Sequence, residues 1–352
     1  MALLFLCLIF GTGRTQKIEA ADTETDQAAA QDELLAELDF DAIQQEVDSL
    51  LSSQQFSFAG TVRSLLQDGD PFRTFRAGNA VLSCAKTAFL AQKGLMKELF
   101  LLVLAGAVLG SFSSLFEGKQ VRDASFYMVY LLALALILKN FQSSGENLKA
   151  VITSLVAFMR ILTPSYYLAA AAAGGASSAV MFYQMLLLVI LAVEKLLLAL
   201  VLPMIHIYLL IALVNDLSGE EILSHMTELL ETCVNGLLKS SLGVLVGMQM
   251  IRNLIAPALD SLRQMALWRT AGMIPGIGNA VNAVTELVAG SAVLIRNCFG
   301  VTAMLVLLAA GMVPAVQLLV SGLSFRLLAA AAQPVSDKRI AGCLAAAGKG
   351  YA

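Results

Sequence analysis

Charged residues that interrupt long apolar runs are where chemistry is first expected in this sequence. Arg252, Glu286 and Arg296 lie within or directly beside uncharged stretches. A charge at the centre of a bilayer costs at least about 2.5–3.5 kcal/mol on insertion scales, so such residues mark candidate functional positions. Three roles stay open for them: an interhelical pair of Glu286 with Arg252 that fixes helix register, passage of a polar solute, or placement at the membrane surface.

Glycine and proline mark two places where membrane helices are predicted to break. The candidate breaks are Gly174, Gly175, Pro275, Gly276 and Gly278. Transporters use broken helices near the middle of the membrane to present backbone dipoles to a substrate. Glycine and proline are also ordinary packing and kink residues in membrane helices, and this second interpretation stays open.

The other reactive residue types give no sign of catalysis or metal binding. The five cysteines have no CxxC spacing, and neither His206 nor His225 lies close to one of them in sequence. The motifs of zinc proteases, α/β-hydrolases and P-loop proteins are missing from the sequence. We therefore predict no catalytic residue, no metal and no cofactor, and we interpret His206 as a packed or interfacial histidine. The sequence also has no basic stripe that would indicate a nucleic-acid partner.

The composition places these residues in a membrane protein. Of the 352 residues, 58% are hydrophobic and 14% are charged, and the mean hydropathy is +0.77. Soluble domains are about a quarter charged. Because lipid offers no partners for backbone N–H and C=O groups, the spanning segments must be helices. We predict an all-α fold, a polytopic transmembrane bundle of about seven spans in contact with the lipid bilayer.

The predicted spans follow the uncharged runs. They cover residues 99–116, 124–138, 166–193, 196–215, 241–259, 273–295 and 298–320. A helix needs about 20 residues to cross a hydrocarbon core of about 30 Å. Glu194 and Lys195 are predicted to form a charged hinge between two spans, and Asp216–Lys239 a polar surface helix joining two others. Together, residues 98–352 are predicted to form the transmembrane domain.

The N-terminal region differs from the rest of the chain in charge. Residues 1–20 contain a short apolar stretch followed by small residues, which is typical of a cleaved signal peptide. Residues 21–97 are predicted to form a short helical region outside the cytoplasm, first acidic and then more basic. Between Glu19 and Asp48 no basic residue occurs, and apolar residues recur at three- and four-residue steps. This pattern predicts an amphipathic helix that packs on its neighbours or docks a partner.

Three stretches carry a resemblance to a known family. They are Leu202–Tyr208 leading to Val214-Asn215-Asp216, then Gly272–Gly300, and Gln333–Ile340. With the acidic N-terminal region, they resemble the stage III sporulation protein AE family of endospore-forming bacteria. The resemblance extends over most of the chain after Glu98.

The resemblance implies a function that hydropathy does not show. Members of that family are polytopic subunits of a complex encoded by the stage III sporulation A operon, in the mother-cell-derived membrane around the forespore. With a forespore-membrane partner protein, the complex is expected to form a secretion-like channel between the two cells. We therefore predict a non-enzymatic subunit whose partners are the other subunits of that complex and the forespore-membrane protein. The alternative, which rests on the Gly/Pro breaks and Glu286, is a secondary transporter of a small solute.

Overall fold

The computed structural model describes residues 39–51, 56–68, 77–113, 119–170, 176–218, 223–271 and 278–351. Within these residues every regular element is helical, as predicted. The α-helices are α1 Phe40–Leu50, α2 Phe58–Asp68, α3 Ala77–Ser113, α4 Lys119–Ala170, α5 Ala176–Leu196, α6 Leu202–Ser218, α7 Ser224–Ala271, α8 Gly278–Ala332 and α9 Lys338–Gly350. A π-helical turn, Leu197–Val201, joins α5 to α6.

Four helical stretches among the described residues are long and apolar enough to cross a membrane. They are Phe126–Tyr166, Gln184–Asp216, Ser224–Ile251 and Gly290–Ala332. The most apolar is Gln184–Asp216, with a mean hydropathy of 2.7. These stretches support a membrane protein, whereas the count of seven spans stays a prediction.

The helices are longer than the spans predicted from hydropathy. α4 has 52 residues and α8 has 55, so at about 1.5 Å per residue each is about 80 Å long. The predicted spans 273–295 and 298–320 both fall in α8 where the structure describes them, and the predicted span 166–193 is shared between α4 and α5. A hydrocarbon core of about 30 Å accommodates less than half of such a helix.

The predicted hinge at Glu194 and Lys195 is wrong. α5 continues through both residues and passes through the π-helical turn into α6. Adjacent charges do not interrupt a helix, because its hydrogen bonds are made by the backbone. The irregularity lies one turn later, where the N–H of Leu202 donates to the C=O of Leu197. This wide turn comes directly before Pro203, which has no N–H to donate.

The predicted surface helix over Asp216–Lys239 is not an element of its own, and its location at a membrane surface stays a prediction. α6 ends at Ser218, and α7 runs without interruption from Ser224 to Ala271, so that it contains the predicted span 241–259. The side chain of Asn215 accepts a hydrogen bond from the N–H of Leu223 at 2.9 Å. One helix therefore carries both the polar segment and the apolar segment that follows it.

One compact unit contains α1, α2 and the described residues of Ile152–Glu194 and Ser240–Gly311. Its core is aromatic. The ring of Phe58 in α2 lies 6.4 Å from that of Phe158 in α4 and 5.0 Å from that of Phe299 in α8, measured between centroids. All three rings are fully buried, so they fix α1 and α2 against the longer helices of this unit.

One side chain of α1, that of Gln44, binds the backbone at the start of α2. Nε2 of Gln44 donates to the C=O of Phe56 at 2.7 Å, and Oε1 of Gln44 accepts from the N–H of Phe58 at 2.8 Å. The side chain thus binds two backbone groups that a turn would otherwise leave without partners. At the start of α1, Asp39 accepts from the N–H of Ala42 at 3.1 Å, which is an N-cap.

The N-terminal predictions lie only partly within the described residues. The signal peptide over residues 1–20 and the acidic residues up to 38 lie outside them. α1 is the described part of the predicted amphipathic helix, with Ile43 and Val47 buried and Asp41 exposed. The location of this region outside the cytoplasm stays a prediction.

The second compact unit comprises the described residues of Ala77–Val151, Lys195–Lys239 and Met312–Ala352. Its core takes buried apolar side chains from α3, α4, α6, α8 and α9. Prominent members are Leu99, Val103, Tyr130, Ile137, Leu209, Leu213, Phe325 and Leu344. The short helix α9 is therefore part of this core.

Candidate functional site

Polar contacts of the second unit converge on the C-terminal helix α9. Asp337 caps this helix by accepting a hydrogen bond from the N–H of Arg339 at 3.0 Å. One face of α9 is buried, and its members are Ile340, Cys343, Leu344, Ala347 and Gly348. Most of these residues are small, which allows neighbouring backbones to approach closely.

The closest approach is between α9 and α8. A Cβ atom at Gly348 would lie 2.9 Å from Cγ of Arg326 and 3.1 Å from the carbonyl oxygen of Gly322. Real Cβ atoms are essentially never found within 3.0 Å of another heavy atom, and a distance of 3.1 Å is tighter than nine in ten of their contacts. Only glycine fits at position 348 without moving one of the two helices.

α9 runs antiparallel to α6. A Cβ at Gly342 would lie 3.4 Å from Cγ of Asp216, and one at Gly350 would lie 3.0 Å from Cδ1 of Leu209. Residue numbers rise along α9 while they fall along α6. The start of α9 is therefore level with the end of α6, and the end of α9 is level with Leu209.

A phenol, a thiol and a carboxylate lie together near the start of α9. The hydroxyl of Tyr130 in α4 donates to the C=O of Leu213 in α6 at 2.6 Å. The thiol of Cys343 lies beside Tyr130 and Asp216. Burial, and to a smaller extent the charge of Asp216, raises the pKa of the Cys343 thiol to about 12, so the thiolate, which is the nucleophilic form of cysteine, is disfavoured. This cluster is suited to helix packing and not to nucleophilic catalysis.

A second polar contact joins α4 to the end of α9. Nδ2 of Asn140 donates to the hydroxyl oxygen of Tyr351 at 2.7 Å. The Tyr351 ring stacks on Phe325, with 5.4 Å between the ring centroids, and meets Phe141 edge-on at 5.0 Å. The tyrosine thus presents its polar end to Asn140 and its ring to the apolar core.

An ion pair joins α9 to α7. Nζ of Lys349 lies 2.9 Å from Oε2 of Glu231. The hydrogen bond to Glu231, together with the neighbouring Tyr208, raises the pKa of Lys349. Both side chains remain substantially exposed, so the pair contributes about 0.2–1 kcal/mol at most. The ion pair shows that the end of α9 lies beside the part of α7 around Glu231.

His206 of α6 is a packing residue. Its Nδ1 lies 2.8 Å from the C=O of Leu202, and a carbonyl accepts only, so we assign the proton to Nδ1. The ring meets Phe141 edge-on at 5.1 Å. A Cβ at Gly145 would lie 2.8 Å from Cε1 of the ring. The helix α4 therefore passes close to α6 at a position where it has no side chain.

These polar groups hold helices together, and the described residues offer no reaction centre beside them. No group of three His, Cys, Asp or Glu side chains in the described part of the chain could hold a metal ion. The hydrogen bonds of Tyr130 and Asn140 each end on a group of another helix. Together these contacts fix the register of α4, α6, α7 and α9 relative to one another.

The charged residues predicted to be functional are only partly described. Arg252 lies in α7 and Glu286 in α8, but their side chains lie outside the described part of the structure. Arg296 lies in α8 and is half-buried. The predicted pairing of Glu286 with Arg252 stays a prediction.

The predicted helix breaks lie at or beyond the ends of described helices. Gly174, Gly175, Pro275 and Gly276 lie outside the described residues. α4 ends at Ala170 before the first pair, and α5 begins at Ala176 after it. Gly278 is the first residue of α8.

The contacts around α9 were missed by reasoning from the sequence. Asn140 and Tyr351 are 211 positions apart, and neither residue type alone indicates a partner. The available signal was the run of small residues from Ala341 to Gly350. Such a composition is typical of a helix that packs closely against others in a membrane protein.

Four long apolar helical stretches among the described residues, with hydrogen bonds between neighbouring helices, indicate a polytopic helical membrane protein. The chain belongs to the stage III sporulation protein AE family, whose defining sequence pattern matches residues 56–352. That match includes the whole of α2 to α9.

A relative in Bacillus subtilis (strain 168) is named stage III sporulation protein AE. It is 23% identical to this chain over 356 aligned positions, which cover 97% of this chain and 88% of the relative. No solved structure is significantly similar to the chain.

Proposed function

We propose that this chain is a non-enzymatic, multi-pass subunit of the channel or secretion-like complex that links mother cell and forespore during endospore formation. The observation that carries the proposal is the family match over residues 56–352. The proposed location is the mother-cell-derived membrane around the forespore. The proposed partners are the other subunits encoded by the stage III sporulation A operon and the forespore-membrane protein of the same complex.

The structure supports a role based on packing. Within the second unit, hydrogen bonds between helices set the positions of α4, α6 and α9. Many large apolar side chains point away from the chain instead of into its cores. Examples are Met128, Leu188, Leu254 and Leu319. Surfaces of this kind are covered by lipid or by neighbouring subunits, and lateral contact is the activity that we propose.

The alternative function, a secondary transporter, is not favoured. It rests on Glu286 and on glycine and proline residues whose structural setting lies outside the described residues, apart from Gly278. If it were correct, purified chain in proteoliposomes would take up a small solute, and Glu286→Gln would abolish that uptake without unfolding the protein. We expect no uptake by either form.

Deletion of the gene in its own host tests the proposed function. We expect the mutant to complete engulfment of the forespore and then to fail in late forespore gene expression, as followed with a fluorescent reporter. Reintroduction of the intact gene should restore the signal. Normal late expression in the deletion strain would rule out the proposal.

A further inference from the structure

The first half of α3 exposes three lysines on one side of the helix. Lys86, Lys93 and Lys97 follow one another at steps of seven and four residues, which are about two turns and one turn of an α-helix. All three side chains are exposed. Among the described residues, no ion pair neutralises these lysines. Three positive charges therefore point in the same direction.

Acidic residues of the same helix do not balance this charge. The acidic residue of α3 is Glu98, which lies about 100° from Lys97 around the helix axis. Arg73 and Arg76 precede α3 in the sequence, and no acidic residue occurs between Arg73 and Lys97. The start of α3 is therefore strongly basic.

Large apolar side chains are exposed among the three lysines. Leu82, Phe89 and Leu90 lie three or four residues from Lys86, and they are 72%, 55% and 56% exposed. We call these three residues and the three lysines the lysine face. Leu95, on the opposite side of the helix, packs against the core of the second unit. The lysine face therefore points away from that unit.

The lysine face leads directly into a section of α3 that is apolar on the same side. Phe100, Leu104 and Val108 continue the spacing of the lysines and are exposed. Residues 99–113 carry no charge and belong to the predicted span 99–116. Lysines at the end of an apolar membrane helix extend toward the membrane surface. The change in composition along α3 is thus typical of a passage from headgroups into hydrocarbon.

Neither water nor hydrocarbon alone suits the lysine face. Exposed leucine and phenylalanine favour acyl chains over water, whereas a charged lysine is unstable among acyl chains. At the membrane surface, apolar side chains enter the acyl region while long lysine side chains reach the phosphates. We propose that the lysine face binds anionic phospholipid, with its lysines on the phosphate groups. This inference goes beyond the proposed function and does not depend on it.

The length of the lysine face determines how α3 meets the membrane. Lys86 and Lys97 are about 16 Å apart along the helix axis, whereas each headgroup layer is roughly 5–8 Å thick. The start of α3 therefore lies obliquely at the surface when all three lysines contact headgroups. An upright helix would hold Leu82 and Phe89 in water.

Quenching of tryptophan fluorescence by brominated phospholipid tests the inference at the lysine face itself. The sequence has one tryptophan, Trp268, so the full-length double variant Trp268→Phe, Phe89→Trp carries a single reporter on this face. It is reconstituted in phosphatidylcholine bilayers that contain phosphatidylglycerol, and either lipid in turn carries bromine on its acyl chains. We expect phosphatidylglycerol to be favoured beside the reporter at least about fivefold. That preference is equivalent to about 1 kcal/mol, the typical contribution of one lysine near an anionic surface.

Two triple variants with the reporter at position 89 show whether the lysines cause the preference. The first carries Lys86→Gln, Lys93→Gln and Lys97→Gln. We expect its preference to fall to about one. The control removes three exposed lysines of α5, α7 and α9, which are Lys195, Lys239 and Lys338. It has the same net charge as the first variant and should keep the preference of the parent. Salt at about 0.5 M should weaken the preference in the parent, because salt screens charge.

A reporter elsewhere on the chain distinguishes a local site from general attraction to anionic lipid. Leu319 of α8 is 69% exposed, and Leu319→Trp with Trp268→Phe should show no preference. Equal preference at both reporters, or a preference at Phe89→Trp that survives loss of the three lysines, would overturn the inference. Absence of quenching at Phe89→Trp by either lipid would overturn it as well, provided that flotation shows the chain in the vesicles. Late forespore gene expression is measured separately, so failure here leaves the proposed function intact.

Discussion

Gly145 shows how one missing methyl group sets the distance between two helices. Its Cβ would lie 2.8 Å from Cε1 of His206. The histidine ring cannot easily move away, because it is held by Leu202 and packs against Phe141. We therefore expect Gly145→Ala to destabilise the protein, since overpacking of this kind costs about 1–3 kcal/mol. The expected result is a lower melting temperature in detergent. It can be measured by scanning fluorimetry with a dye that does not react with cysteine, or by size-exclusion chromatography after heating.

Two other glycines provide matched controls for this prediction. Gly94 and Gly236 lie in helices, and a Cβ there would meet no atom within 4 Å. Alanine is favoured over glycine in a helix by about 1 kcal/mol, so these variants should melt at the same or a higher temperature. The double variant Gly145→Ala with His206→Ala should recover part of the loss. A melting temperature for Gly145→Ala equal to that of the controls would contradict the packing argument.

At the scale of elements, the pairing of α1 with α2 depends on Gln44. Gln44→Leu keeps the approximate volume but removes both hydrogen bonds, leaving the C=O of Phe56 and the N–H of Phe58 without this partner. An unsatisfied buried group costs about 1–3 kcal/mol. We expect amide hydrogen exchange in α1 and α2 to become about tenfold to a hundredfold faster. Exchange in α9, which belongs to the other compact unit, should not change.

The neighbouring Gln45 is the control for this effect. It is exposed, so Gln45→Leu should leave exchange in α1 and α2 as in the parent protein. Gln44→Glu keeps the acceptor for the N–H of Phe58 and loses the donor to Phe56, so it should have an intermediate effect. Equal exchange in Gln44→Leu and Gln45→Leu would show that the glutamine does not hold the two helices together.

The helices also show which features of the fold are determined by residues that are close together in the sequence. Apolar runs correctly predicted helices, because a helix satisfies its own backbone hydrogen bonds. They predicted helix ends poorly, since the charges of Glu194 and Lys195 mark a change of environment and not an interruption of the backbone. The position of α9 depends on Asn140 and other residues far away in sequence. The roles of Arg252 and Glu286 stay at the level of the sequence prediction.

At the scale of the whole molecule, the exposed surface decides which solvent the protein needs. Met128 and Leu254 are 78% and 77% exposed, and they are two of many such residues. Exposing apolar surface to water costs roughly 25 cal/mol per Å². A monomer with this surface would therefore aggregate in water. We expect the chain to stay with the membrane during an alkaline carbonate wash and to be released only by detergent. A peripheral protein of the same membranes, released by the wash, is the control. A purified chain that is monomeric and folded in buffer without detergent would refute the membrane assignment.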